Sequence, residues 1–358
     1  MSDERIKKLA EILVNYSVRV KKGETITISA SSAAEELVVE LYRLIIKKGA
    51  YPVVNIQFPK MAYIYYKNAS KEQLRKFPDI FNFQIKKSQA CISISADENT
   101  MELSNVDPRS VAVRQKITAP ISDYIVNEKK KIRRVSLDFP TNALAQDAEM
   151  SLEEYESFLF NATNQDWNKE KKRLYKIKSL FKNADKIRII GSDTDIEMSV
   201  KGREFIVDAG EENMPGGEIF SAPLEKTVNG KIKFTYPAVR SGREVNDVEL
   251  EFKNGKVIKA KASKNEKFLK AMINTDKGSK YIGELGIGCN TQINKFTKNL
   301  LFDEKLSFTI HLALGMAYKE CKGTNKSALH WDIVKDLKKN GKIIVDGKIV
   351  QKNGKWIF

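Results

Sequence analysis

Residues 25–58 read TITISASSAAEELVVELYRLIIKKGAYPVVNIQF, and this stretch decides the fold of the N-terminal half. Apolar and polar residues alternate over Thr25–Ile28, which predicts a strand. A helical pattern over Ser31–Lys48 follows, with Ser31 or Ser32 as its N-cap and Gly49 at its end, before a second strand at Pro52–Phe58. A strand–helix–strand unit of this kind predicts a parallel sheet with helices on its faces.

The flanking sequence continues this α/β pattern. Apolar residues from Ile6 to Tyr16 recur at helical spacing, and further elements are predicted downstream. They are a capping box at Ser70, a strand at Ala90–Ser95, a helix at Pro108–Asn127, a strand at Arg134–Leu137, and helices from Ser151 and over Trp167–Lys182. The sequence contains neither a G-x-G-x-x-G motif after a strand nor a Walker A lysine, so this Rossmann-like half lacks a nucleotide-binding fingerprint.

The pattern changes near residue 185. Short β-rich runs then alternate with dipeptides typical of type I′ hairpins. These dipeptides are Asn229-Gly230, Asn254-Gly255, Asp346-Gly347 and Asn353-Gly354. We therefore predict an α/β N-terminal domain at residues 1–185 and a β-rich α+β C-terminal domain at residues 186–358, a division that also suits a chain of 358 residues.

Composition narrows the function classes. The formal net charge is +16, but lysine is spread along the whole chain. The densest basic run, residues 129–134, has no RNP aromatics, zinc finger or GXXG clamp beside it, so we do not expect nucleic-acid binding as the main role. No apolar run approaches the roughly 20 residues of a membrane span, and the N-terminus has no signal-peptide pattern, so we expect a cytoplasmic protein that does not bind membranes.

The three cysteines are Cys91, Cys289 and Cys321. They are odd in number, lie far apart and form no C-x-x-C motif. This distribution argues against both a disulfide framework and a thiolate zinc site.

Both histidines of the chain, His311 and His330, lie within residues 307–332, which end in His-Trp-Asp. A single buried histidine is commonly a core residue, but two imidazoles near Asp332 suggest ligands for a divalent metal. A His/His/Asp set supplies three ligands at most, so more must come from elsewhere.

Two glutamates stand among glycines and apolar residues. Glu218 follows a Gly- and Pro-rich segment, and Glu284 is flanked by three glycines. We expect both to lie in loops. An acid in apolar surroundings needs a partner for its charge, and a cation would serve, although an exposed loop glutamate is the simpler interpretation from chemistry alone.

Four motifs in order resemble metallopeptidase family M29, a family of aminopeptidases: NMPGGEIFSAP at 213–223, IGELGIGCN at 282–290, TIHLALGMAY at 309–318 and SALHWD at 327–332. The opening LAEILVNYSVRVKKGETITI at 9–28 is also similar to that family. The resemblance implies a two-metal site whose ligands are Glu218, Glu284, His311, Tyr318, His330 and Asp332. It also implies an α/β domain followed by a β-rich catalytic domain, a homodimer, and peptide substrates with a free N-terminus.

The chain departs from the family pattern in two places. Cys289 stands where the family has threonine, and the loop between Tyr318 and His330 is short. Cys321 is close enough in sequence to Tyr318 to interfere with a metal, but a small loop residue is the simpler interpretation. The short loop bears on substrate specificity rather than on the ligands.

The ligand set suits two zinc, cobalt or manganese ions, which would activate a water and polarise a peptide carbonyl. Glu218 or Glu284 would accept the proton of the water, and Tyr318 would be a ligand or a hydrogen-bond donor. Two alternatives stay open. One is a metal-dependent hydrolase of another class, such as a dipeptidase or amidase, and the other is a non-enzymatic nucleic-acid or partner-binding protein on the same scaffold.

Overall fold

A computed structural model describes residues 3–128, 131–240 and 242–358. The chain forms two compact units. The first runs to Gln165 and includes Gly210–Gly216, and the second comprises Asp166–Ala209 and Gly217–Phe358. The sequence-based domain division at residue 185 stays a prediction.

The helices, numbered in chain order, are α1 (Glu4–Ile12), α2 (Glu35–Lys47), α3 (Met61–Asn68), α4 (Lys71–Arg75), α5 (Asp79–Lys87), α6 (Pro108–Asn127), α7 (Asn142–Asp147), α8 (Leu152–Thr163), α9 (Trp167–Ser179), α10 (Glu266–Ile273) and α11 (Leu300–Asp303).

The strands are β1 (Thr25–Ser31), β2 (Tyr51–Gln57), β3 (Ala90–Ser95), β4 (Arg133–Asp138), β5 (Lys186–Gly191), β6 (Thr194–Ser199), β7 (Ile206–Asp208), β8 (Asn213–Met214), β9 (Glu218–Ser221), β10 (Asn229–Lys233), β11 (Ala238–Arg240), β12 (Arg243–Val245), β13 (Glu249–Lys253), β14 (Lys256–Lys261), β15 (Ile282–Gly288), β16 (Thr309–Gly315), β17 (His330–Asp336), β18 (Lys342–Val345), β19 (Lys348–Lys352) and β20 (Lys355–Trp356).

The first unit contains a parallel sheet in the order β2-β1-β3-β4-β8. Ile26 and Ile28 of β1 are fully buried, as are Leu37 and Leu41 of α2, because the strand alternates and the helix presents an apolar stripe. The sequence-based prediction of an α/β first half is confirmed. One detail was wrong: α2 is preceded by a 3₁₀ turn at Ser32–Ala34, and no serine side chain caps it.

The second unit is β-rich and largely antiparallel, as predicted. It contains an eight-stranded sheet, β14-β13-β10-β6-β5-β18-β19-β20, and a five-stranded sheet, β17-β16-β15-β9-β7. Three of the four predicted hairpin dipeptides connect paired strands with both residues at positive φ: 254–255, 346–347 and 353–354. The fourth was wrong. Asn229-Gly230 begins β10, because Gly230 pairs with Ile196 on one side and Phe252 on the other.

Helix α9 belongs to the second unit. Its Leu174 and Ile177 are buried in the same apolar core as Ile189, Ile287 and Leu312. A lysine-rich helix can do this because its apolar residues recur on one face while its lysines stay in solvent.

The basic run at 129–134 lies partly outside the described residues, since Lys129 and Lys130 are not described. Arg133 pairs with Glu24 at 2.5 Å and Arg134 with Glu212 at 2.9 Å. Among the helices that the structure describes, none combines the length and apolar character required to cross a membrane.

Candidate metal centre

The five-stranded sheet of the second unit has two chemically different faces. One face is apolar and packs into the core. Its residues are Ile219, Leu285, Ile287, Ile310, Leu312, Leu314, Trp331 and Ile333. Because successive strand residues point to opposite faces, the residues between them share the other face.

That other face carries acids and imidazoles on four adjacent strands. They are Glu218 on β9, Glu284 on β15, His311 on β16, and His330 and Asp332 on β17. Glu218, Glu284 and Asp332 are at most 5% exposed and His311 is fully buried. The expectation that both glutamates lie in loops was wrong, because the glycines around them lie within or beside strands rather than in turns.

Two glycines make room for this face. Gly286 pairs with His311, and a Cβ on Gly286 would lie 1.8 Å from the Nε2 atom of His311. Gly217, at φ +115°, lies against Asn290, where a Cβ would approach the Asn290 Cβ to 2.5 Å. Gly217 also accepts a hydrogen bond from Cys289 N–H and donates one to Asp208, which fixes the backbone just before Glu218.

The polar side chains form two groups that each have the geometry of a cation site. In the first, His311 Nε2 lies 3.3 Å from Glu218 Oε2 and 3.3 Å from Glu284 Oε1. In the second, His330 Nε2 lies 3.6 Å from Glu284 Oε2 and 3.3 Å from Asp332 Oδ2. Within each group the candidate ligand atoms lie within 4.8 Å of one another, and Glu284 contributes to both.

Several of these atoms are buried without a hydrogen-bond partner among the described residues. They are Glu218 Oε2, Glu284 Oε2, His311 Nδ1 and both carboxylate oxygens of Asp332. A buried carboxylate oxygen without a donor is costly, whereas a bound cation would satisfy it. The donor set, carboxylate and imidazole without thiolate, also fits a divalent metal.

His330 is held in the tautomer that a ligand requires. Its Nδ1 donates a hydrogen bond to the carbonyl oxygen of Met316 at 2.8 Å, which leaves Nε2 facing Glu284 and Asp332. Such a hydrogen bond on the second ring nitrogen is the usual support of a metal-binding histidine.

The electrostatics of the metal-free site favour charged histidines. Burial lowers the pKa of His311, but Glu284, Glu218 and Asp332 more than reverse this and raise the pKa to about 9. Burial also opposes the charge of His330, whose pKa Asp332 and Glu284 raise to about 10. Burial raises the pKa of Glu284, although His311 favours its ionised form. In the absence of metal, protons therefore occupy the imidazoles.

Tyr318 lies beside these groups. Its ring packs against His330, with centroids 5.0 Å apart, and against Phe220 at 5.9 Å. Burial, together with the charges of Glu284 and Asp332, raises the pKa of the Tyr318 phenol well above its ordinary value. The hydroxyl therefore stays protonated in the metal-free site.

The two cysteines near the motifs are buried and lie outside both ligand groups. The Cys289 thiol donates to the carbonyl oxygen of Ile287 at 3.4 Å, and burial raises its pKa to about 12. Cys321 packs in a small apolar cluster with Phe220 and Ala317, and burial raises its pKa as well. Neither thiol is prepared to bind a metal as thiolate.

The sequence motifs did not indicate three charged residues beside the first ligand group, which are Lys305, Glu304 and Asp208. Lys305 is fully buried, and its Nζ lies 2.9 Å from Glu304, 3.1 Å from Glu218 and 4.0 Å from Asp208. In a chain with lysine throughout, no local pattern marks Lys305. Its position four residues before the start of the His311 strand, β16, is the one signal that the sequence offered.

A large cleft lies elsewhere, in the first unit. Its volume is about 1760 Å³, and its lining includes Ser29, Asn55, Ser93, Tyr65 and Arg114. Among the residues that the structure describes, no metal-ligand group occurs at this cleft. Ligand chemistry, rather than cavity size, therefore places the candidate site on the antiparallel sheet.

Comparisons with known proteins identify the family and the fold. The sequence profile of the family described as Thermophilic metalloprotease (M29) matches residues 2–356. The chain is 28% identical to Aminopeptidase AmpS of Bacillus subtilis, over 99% of both chains. Its structure is similar to wild-type AmpT from Thermus thermophilus, with a TM-score of 0.85, 20% identity and 99% of each chain covered.

A similar fold also occurs in a protein that is named as a dioxygenase. A 2,5-dihydroxypyridine dioxygenase from Pseudomonas putida KT2440 aligns with a TM-score of 0.64 and 12% identity, over 100% of this chain and 98% of the other. At these identities the two structural likenesses establish the fold alone. The reaction must be argued from the site.

Proposed function

The chain belongs to the M29 metallopeptidase family, and from that premise we propose that it removes N-terminal residues from peptides with the help of two divalent ions. Membership makes the protein a hydrolase with divalent metal cofactors. The number of ions, their identity and the requirement for a free N-terminus are the proposed part.

The position of Glu284 is the observation that carries the two-ion proposal. Its Oε1 faces His311 and its Oε2 faces His330, so one carboxylate can bridge two neighbouring cations. Glu218 and His311 would complete one site, and His330 and Asp332 the other. Tyr318, whose ring packs against His330, is the candidate for a sixth ligand.

The balance of charges also supports bound cations. Five carboxylates meet one ammonium, that of Lys305, in a single network of contacts: Asp208, Glu218, Glu284, Glu304 and Asp332. Because carboxylates outnumber the ammonium, the network has an excess of negative charge when the histidines are neutral, and divalent cations would balance it.

The side chains have distinct roles in the proposed reaction. When bound, the ions supply Lewis acidity, which polarises the peptide carbonyl and makes a water nucleophilic near neutral pH. Glu218 and Glu284 are the candidates for accepting the proton of that water. Tyr318, as a neutral phenol, can alternatively donate a hydrogen bond to the developing oxyanion.

One experiment tests reaction class and metal together. The protein is stripped with a chelator, reloaded with zinc, cobalt or manganese, and assayed on leucine p-nitroanilide and its N-acetylated form, while metal content is measured by mass spectrometry. We expect about two ions per chain, cleavage of the free amine alone, and loss of metal in His330→Ala. Equal cleavage of the blocked substrate would instead favour an amidase, and a metal-free wild type would favour a binding protein.

Homodimerisation and a cytoplasmic location stay predictions. Sedimentation equilibrium of the purified protein tests the first, and fractionation of the source cells tests the second.

A further inference from the structure

Lys305 is a fully buried charge beside the first ligand group. Its side chain has no exposed surface. Its Nζ donates a hydrogen bond to Glu304 at 2.9 Å and forms ion pairs with Glu218 at 3.1 Å and Asp208 at 4.0 Å. An ammonium in such a place costs several kcal/mol unless acidic partners surround it. Three carboxylates around one ammonium therefore indicate a specific position rather than a lysine trapped in the core.

The backbone of Lys305 is fixed on both sides. Its N–H donates to the carbonyl oxygen of Phe302 at 3.0 Å, and its carbonyl oxygen accepts from Asn290 N–H at 3.0 Å. The next residue, Leu306, lies against Gly288, where a Cβ would approach its carbonyl oxygen to 2.0 Å. The ammonium is thus held by the main chain as well as by its partners.

The two oxygens of Glu218 have different surroundings because of this lysine. Oε1 meets the ammonium, whereas Oε2 has no hydrogen-bond partner among the described residues and lies 3.3 Å from His311 Nε2. We propose that Lys305 is a positioning residue, which holds Oε1 of Glu218 so that this carboxylate presents Oε2 alone to the ion shared with His311 and Glu284. The inference rests on the proposed metal function.

Metal affinity alone does not test this role, because two effects oppose each other. Removing the ammonium frees Glu218 to rotate or to use both oxygens, which disturbs the site. It also removes a positive charge close to the ions, which strengthens their attraction to the remaining carboxylates. The coordination of the bound ion is therefore the quantity to measure.

The experiment is cobalt loading of the wild-type chain and of Lys305→Met, followed by visible absorption spectroscopy, cobalt stoichiometry and steady-state kinetics. We expect the d–d bands to shift, kcat to fall about 10–100-fold and KM to stay within about threefold. Lys335→Met is the matched control. Lys335 is a second buried lysine of the same unit, but it donates to the carbonyl oxygen of Ser192, so its loss leaves the spectrum unchanged.

Glu304→Gln keeps the test decisive if Lys305→Met fails to fold. Glutamine is isosteric with glutamate and weakens the contact between residue 304 and the Lys305 ammonium. A smaller spectral shift in the same direction is therefore expected. Folded variants with wild-type spectra and kcat would overturn the positioning role alone. A wild type that takes up no cobalt would overturn the proposed function and this inference with it.

Discussion

The parallel sheet of the first unit and the five-stranded antiparallel sheet of the second both align polar side chains across adjacent strands. In the parallel sheet, Ser29 is in register with Asn55 and Ser93, and all three are neutral. In the antiparallel sheet, the corresponding positions carry the carboxylates and imidazoles of the candidate metal centre.

The difference in charge decides which sheet requires a cation. The Ser29 hydroxyl and the Asn55 amide nitrogen are buried without a partner among the described residues, at a cost of about 1–3 kcal/mol each. A buried carboxylate without a counter-charge costs far more. The neutral polar residues of the parallel sheet are therefore compatible with a metal-free protein, whereas the carboxylates of the antiparallel sheet require bound cations or protonated imidazoles to balance their charge.

The largest effect is expected from Glu284→Gln, which removes the charge shared by both ligand groups. We expect kcat to fall on the order of 10²–10⁴-fold and metal content to drop below two per chain, while the metal-free protein stays folded because glutamine keeps the shape. Steady-state kinetics measures kcat, metal analysis measures the ion content, and circular dichroism checks the fold. Glu251→Gln, on an exposed strand position, is the control. Full activity of Glu284→Gln would remove Glu284 from the site.

Gly286→Ala tests whether the sheet needs its glycine to admit the His311 ring. The added Cβ would displace that ring, so we expect loss of the first ion and a destabilisation of about 1–3 kcal/mol, measured by metal analysis and urea unfolding. Gly191→Ala is the control, since its nearest neighbour would be the Lys335 Cε at 3.4 Å. Similar behaviour of the two variants would show that His311 does not depend on Gly286.

The pH dependence follows from the raised pKa values of His311 and His330, about 9 and about 10. An unfolded histidine titrates near 6.5, so protonation of the imidazoles stabilises the metal-free fold fully below about pH 6.5. This contribution declines as pH rises above about 6.5 and is lost once pH has passed the folded pKa values of about 9 and about 10. We expect the Tm of the chelated protein to fall as pH rises from about 6.5 to about 10.

Metal binding must displace the same protons, so its affinity should rise with pH by about tenfold per unit for each proton displaced. Differential scanning calorimetry and metal titrations at pH 6, 7.5 and 9 measure both trends. A metal affinity independent of pH would mean that the histidines are already neutral.

The smallest effect is expected from Ser29→Ala in the parallel sheet. It removes a buried hydroxyl that lacks a partner and so relieves its desolvation cost; the free energy of unfolding should rise by about 1 kcal/mol, with activity unchanged. Chemical denaturation and the peptidase assay check this. A large loss of activity would place a functional site in the first unit and erase the contrast between the two sheets.

Local patterns predicted many elements well. Ala90–Ser95 is a strand at the predicted residues because a short apolar run followed by a polar segment suffices to specify it. The helix at Pro108–Asn127 likewise begins at a proline in its first turn, with Asp107 as its cap. Asn229-Gly230 was misinterpreted because strand pairing on both sides overrode the turn preference of the dipeptide.

For the site, the sequence supplied the ligand candidates but not their arrangement. The segments GELGIG, IHLALG and HWDIV already alternate between core residues and polar or small residues. This period-2 pattern could have placed Glu284 on a strand. Lys305, Glu304 and Asp208 had no such signal, because nothing local distinguishes a buried charge from a surface one.

By itself, therefore, the sequence determined which residue types are available: two histidines, acids set among glycines, and strands that alternate between an apolar and a chemical face. Tertiary structure alone decided that Glu284 faces both histidines and that Lys305 holds one oxygen of Glu218. The physical reason is that these contacts depend on strand register and burial across residues far apart in the chain, and both are set by long-range pairing rather than by neighbours in sequence.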